Sequence, residues 1–252
     1  MRSGNPVLGE NTFLDVGSGA VVSGGPSTTM SINGTVNKAG LMLVLLVLGA
    51  AFTWSRFDGT PAGAQAVLPW VAVGAIGGLI LALITIFKKT WSPVTAPIYA
   101  VLEGLFLGGI SAMFELRFPG IVMQAVMLTF GTLFALLVAY RSGLIKATEN
   151  FKLGVVAATG AICLVYIADI VMGMFGKSFG FLHDSSWLSI GISAVVVIVA
   201  ALNLVLDFDF IESGAEHGAP KYMEWYAAFG LMVTLVWLYL EMLRLLSKLQ
   251  SR

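Results

Sequence analysis

Seven long apolar runs dominate the chain from residue 39 onward: Ala39–Trp54, Val67–Phe87, Pro97–Phe114, Ile121–Tyr140, Leu153–Phe175, Trp187–Leu206 and Tyr226–Leu246. A helix rises about 1.5 Å per residue and a bilayer's hydrocarbon is about 30 Å thick, so about 20 residues cross it. Hydrocarbon offers no partner to a free backbone N–H or C=O, which leaves helices or a closed barrel. Barrel strands would alternate polar and apolar residues over about ten positions. These runs do not alternate, so the chain reads as an all-α integral membrane protein of about seven transmembrane helices. Composition agrees: 58% of residues are hydrophobic and only 11% charged, against roughly a quarter in soluble domains.

Turn residues separate the runs, among them Pro61, Ser92-Pro93, Pro119, Gly176 and Gly218. Residues 1–37, rich in Gly, Ser, Thr and Asn, read as a flexible tail, and 38–252 as one membrane domain. The pairs Gly74/Gly78 and Gly104/Gly108 have the small-xxx-small spacing that lets helix backbones approach closely. With the N-terminus in the cytoplasm, eight Lys and Arg fall inside and three in outside loops, which sets the orientation. Arg244, Lys248 and Arg252 raise the outside count to six. That basic C-terminus leaves six crossings plus one re-entrant segment as an alternative.

Several kinds of chemistry are absent. No HExxH, GxSxG or phosphate-binding Gly-Lys loop occurs, so no enzyme is expected. The chain's Lys and Arg equal its Asp and Glu at 14 each, and nucleic-acid binding would leave a basic excess. His183, His217 and Cys163 lie far apart in sequence, and no resident cofactor is expected.

The placement of acids carries the functional signal. Glu103, Asp169, Asp207, Asp209 and Glu241 lie in or at the edge of spans, while the basic residues occupy loops, tails and span ends. A charge near the bilayer centre is costly and usually functional or paired. A raised pKa, a shared proton or a bound cation would lower that cost. Asp207 shares a helical face with Asn203, Ala200 and Ser193. Asp209 points elsewhere and suits a snorkelling role near the helix end. Glu241 shares a face with Gly230, Thr234, Trp237, Arg244 and Lys248, where an i,i+3 pair with Arg244 is the structural alternative. Tyr166, one turn before Asp169, is a candidate partner for that acid. Glu103 and Asp169 are candidate lining residues.

The stretch LNLVLDFDFIESGAEHGAPKYMEWYAAFGLMVTLVWLYLEMLRLL at 202–246 resembles the Bax inhibitor family, in its bacterial YccA-like branch. MRSGNPVLGENTF at the start, INGTVNKAGLML before the first span and APIYAVLEGLFLGGIS in the third support the likeness. The resemblance implies six helices around a central, relatively polar last helix, in a bacterial inner membrane. It implies a pH-sensitive calcium leak whose sensor is an acidic pair. That pair maps onto Asp207, with Asp209 two residues on, and onto Glu241 in LYLE. Asp207 and Glu241 would share a proton or hold calcium, and calcium or protons would be the transported ions. The family's gating arginine has no mid-span counterpart, which makes Lys88 and Lys89 the nearest candidate bases, with Arg244 a third. A second implied reading is a non-conducting partner of a membrane protease, bound through the tail or the GAEHGAPKYMEW loop.

Overall fold

A computed structural model describes residues 28–177 and 179–252. Seven helices are long and apolar enough to cross a membrane: α1 (Ile32–Trp54), α2 (Pro61–Phe87), α3 (Ser92–Arg117), α4 (Ile121–Arg141), α5 (Glu149–Met174), α6 (Trp187–Glu216) and α7 (Met223–Gln250). Among the described residues there is no strand, only an isolated bridge between Thr29 and Pro220. Single helical turns sit at Lys89–Trp91 and Gly180–His183. All seven runs lie in helices of at least 21 residues, each long enough to cross.

Helices α1, α2 and α5 start earlier than their apolar runs because polar caps lie outside them. Ser31, Thr60, Thr148 and Ser186 each accept a hydrogen bond from a backbone N–H three residues on, which satisfies an otherwise orphaned donor. Pro61 then occupies the first turn of α2, where a missing N–H costs nothing. The expected tail boundary at 37 moves accordingly. Ile32–Asn37 belong to α1, and residues 1–27 lie outside the described residues.

Helices α1, α2 and α3 form one closely packed unit. A Cβ on Gly104 would stand 2.2 Å from the Leu46 carbonyl oxygen, and one on Gly108 2.4 Å from that of Ala50. From the other side, a Cβ on Gly49 would come within 2.6 Å of the Val101 carbonyl. Gly74 brings α2 equally close to Leu102 and Phe106 of α3. Backbones touch here because no side chain intervenes, as the small-residue spacing predicts.

Helix α7 is the most buried span. It packs against α1, α3, α4 and α6, with Tyr226, Phe229, Met232, Leu238 and Leu243 almost inaccessible. Tyr99 of α3 meets Phe229 edge-to-face at 4.8 Å, and the Ser111 and Tyr239 hydroxyls lie 2.6 Å apart. The central last helix is therefore present, but two of the expected six neighbours stand further out. Helix α2 packs chiefly on α3, and α5 only sparsely on α6. Most of α5 faces outward, and Leu164 and Ile170 are 70% and 66% exposed.

Gly104→Val is expected to force α1 off α3 and destabilise the bundle by about 1–3 kcal/mol, the usual cost of overpacking. Gly131→Ala, where an added Cβ meets nothing within 4 Å, is expected not to lower stability. Thermal unfolding in detergent of both variants beside the parent checks this.

Candidate functional site

The acids in the spans do not converge on one point, and the α6–α7 hairpin shows why. Lys248 donates to Ser193 Oγ at 2.8 Å, fixing the antiparallel register. Seven residues back along α7, Glu241 comes level with Ala200 of α6. Asp207 lies a further seven residues on, on the order of 10 Å along the axis. Carboxyls couple strongly only over a few ångströms, so the shared proton expected between Asp207 and Glu241 does not form in this arrangement. Among the described residues no three Asp, Glu, His or Cys come together as a metal site.

Glu241 has other partners. It is 2% exposed. Its carboxylate accepts from Arg244 Nη1, at 3.0 and 3.3 Å to its two oxygens, and from the Tyr166 hydroxyl of α5 at 3.1 Å. The same Arg244 nitrogen donates to the Tyr166 oxygen at 2.6 Å, and the guanidinium sits 5.0 Å from the Tyr166 ring centre. One turn of α7 supplies acid and base, and α5 supplies the hydroxyl that joins them. Arg244 is thus the candidate base that reaches a predicted acid. Lys88 is exposed at the end of α2, a helix that packs on α3 rather than α6, and Lys89 lies in the turn against the start of α7.

A second tether joins α5 to α6 towards the face where α1 begins. Lys152 of α5 pairs with Asp209 at 2.8 Å and with Glu149 at 3.4 Å. The snorkelling role expected for Asp209 gives way to this ion pair. Between the two ends, Asn203 Nδ2 donates to Thr159 Oγ1 of α5 and to the Val199 carbonyl, each at 2.8 Å. Asn203 is 1% exposed, and its Oδ1 is buried with no hydrogen-bond partner among the described residues. Asp207, one turn on from Asn203, is fully buried and engaged within the bundle.

Three of these contacts, two helical turns apart on α5, form an interrupted polar seam against the α6–α7 hairpin, and the Lys248–Ser193 bond between α6 and α7 extends its line. In order across the membrane they are Lys152–Asp209, Thr159–Asn203, Tyr166–Glu241–Arg244 and Lys248–Ser193. From Asp209 to Ser193 is sixteen residues of α6, about 24 Å of helix, against a hydrocarbon thickness of about 30 Å. Between Lys152 and Asp169 the rest of α5 is apolar or small, so its polar partners decide which face it turns inward.

The other predicted acids stand apart from the seam. Asp169 accepts from the Phe179 backbone N–H at 2.8 Å and so ties down the loop after α5. Tyr166, expected to satisfy Asp169, turns to Glu241 instead because Arg244 completes a better-matched set there. Glu103 accepts from Tyr99 at 3.1 Å and lies beside Gly78 of α2. Neither contact reaches α6.

Sequence reasoning read Tyr166 only as a partner of Asp169 and gave Thr159 and Lys152 no site role, although the three recur every seventh residue on one face of α5, two helical turns apart. It also passed over Glu224. That side chain is fully buried, with ion pairs to Lys38 and, at 2.8 Å, to Lys221, and it accepts from Ser31 N and Oγ at 2.9 Å. Gly34 leaves room for the carboxylate, and Met30 N–H donates to the Ala219 carbonyl at 2.6 Å. Together these clasp the entry to α1 onto the α6–α7 turn.

The sequence matches the profile of the Bax inhibitor 1 like family over residues 5–251. The chain belongs to that family. No sequence among curated proteins matches it. For this member of the Bax inhibitor 1 like family, the seam is where Asp209 of α6 and Glu241 of α7 each engage α5.

Glu224→Gln is expected to destabilise the protein by about 3 kcal/mol, since it strips two lysines of their counter-charge. Lys221→Gln, which leaves Lys38 in place, should cost less. Detergent melting curves of the two variants test the order, and equal costs would contradict the clasp.

Proposed function

We propose that the protein is a pH-sensitive leak for calcium or other cations, routed along the seam between α5 and the α6–α7 hairpin. The observation that carries the reading is the seam's length. Hydrogen-bonding groups recur at intervals of two helical turns over most of the hydrocarbon thickness, three of them on a helix that is otherwise held by few contacts. A polar group in hydrocarbon is expensive, and a run of them lowers the barrier to an ion only when the helices part enough to admit water.

The ion pairs supply the gate. With Glu241 ionised, Glu241 and Arg244 hold Tyr166 of α5 while the Lys152–Asp209 pair ties α5 to α6, and the seam is shut. Protonation of Glu241 removes the charge that Arg244 pairs with, and α5 loosens. Acid therefore opens the leak and alkali closes it. Asn203 supplies an oxygen along the way, its buried Oδ1 having no hydrogen-bond partner among the described residues, which suits a hard cation such as calcium. Calcium is here the ion moved rather than a resident metal. The excess of Lys and Arg on the face where α1 begins supports a cytoplasmic N-terminus, and the family resemblance suggests a bacterial inner membrane.

Calcium flux into proteoliposomes across pH tests this reading. The parent is expected to leak more at acid pH. Glu241→Gln and Asp209→Asn should each raise flux at neutral pH and flatten the profile, because each carries a permanently uncharged side chain. If both variants keep the parent's profile, the gate is assigned to the wrong groups. If the parent shows no flux at any pH, the leak reading fails and a non-conducting role, binding and restraining a membrane protease, takes its place.

A further inference from the structure

A second feature lies on the opposite side of α7 from the contacts with α5. Helices α1, α3, α4 and α7 enclose a cavity of about 450 Å³, within the range of roughly 300–1,000 Å³ typical of ligand pockets. Helices α1 and α4 form its two walls and pack mainly on other helices. The glycine contacts explain the gap. Gly104 and Gly108 draw α1 onto α3 so tightly that α1 cannot also lean on α4. The space left between them reaches inward to α7.

The lining says what chemistry fits. It holds no charged residue. Its hydroxyls are already engaged: Ser111 with Tyr239 at 2.6 Å, and Thr129 with the Ala125 carbonyl at 2.8 Å. The cavity therefore offers a polar ligand few groups, chiefly the second hydroxyl hydrogen of the Ser111–Tyr239 pair and the Trp54 N–H at the rim. Its rim on α1 includes Val47 and Trp54, 53% and 37% exposed on the membrane-facing surface. The rim runs from mid-span to Trp54 at the last turn of α1, near the depth where tryptophan meets headgroups. Any molecule entering by this mouth comes from the hydrocarbon itself.

We infer that this cavity is a binding site for one acyl chain of a bilayer phospholipid, which enters between α1 and α4 and lies against α7. The chain replaces the side chains that α1 and α4 do not provide to each other, since an unfilled apolar cavity forfeits dispersion contacts. Its headgroup stays at the interface near Trp54. The inference is independent of the leak, because none of the seam residues lines the cavity.

Photolabelling in proteoliposomes tests it, with a phosphatidylcholine that carries a diazirine midway along one acyl chain. Leu107 and Met232 line the cavity but are only 5% and 1% exposed, so surrounding lipid does not reach them from outside. Adducts are expected on both. Ala50→Leu and Val126→Phe fill the cavity from opposite walls, and each should cut those adducts at least five-fold while leaving labelling of lipid-facing Leu164 unchanged. Leu164 labelling also reports whether each variant is folded. If one variant loses it, the other carries the comparison. Absence of adducts on Leu107 and Met232 in the parent overturns the inference, as does labelling there that neither folded variant reduces.

Discussion

A carboxylate inside hydrocarbon must find its partners among the side chains around it, and that constraint organises the half of the molecule built from α5, α6 and α7. Glu241 and Asp209 each recruit a base, and Glu241 a tyrosine as well. Helix α5 has little else to hold it. Its position is therefore an electrostatic property more than a packing one. Hydrophobic association does not help, because lipid tails are as apolar as the helix surface.

The other half is built on the opposite principle. In α1, α2 and α3, glycines remove side chains so that backbones meet, and dispersion does the work. Such contacts are insensitive to pH. Helix α7 lies between the two regimes, with Tyr239 bonded to α3 and Glu241 bonded to α5. A fold divided in this way can loosen along one seam while the rest stays intact. The Glu224 clasp helps here, since it pins the α6–α7 turn to the start of α1.

Much of the fold was legible from residue order alone. Bilayer thickness sets span length, turn residues separate the runs, and Gly104/Gly108 announced a close approach that α1 in fact makes. Helix starts were less legible, because caps such as Ser31 and Thr60 lie outside the apolar runs. For the site, the acids were visible but their partners were not. Spacing within a helix relates Glu241 to Arg244, yet nothing in it fixes the register of α7 against α6. That register sets Asp207 and Glu241 apart. Tyr166 was readable only as a neighbour of Asp169 until the arrangement of α5 against α7 was known. Glu224 went unseen because its partners Ser31 and Lys38 lie nearly two hundred residues away in the chain.

The central claim is that water and ions reach the seam once its ion pairs weaken, and thiol accessibility tests it most directly. In a Cys163→Ser background, single cysteines replace Thr159 on the seam and Leu164 on the lipid-facing side of α5. A charged, membrane-impermeant thiol reagent is then applied to proteoliposomes at fixed pH. The account predicts that Thr159→Cys reacts faster than Leu164→Cys, and that adding Glu241→Gln raises the rate at 159 alone. Equal, negligible labelling at both positions, unchanged by Glu241→Gln, would contradict it.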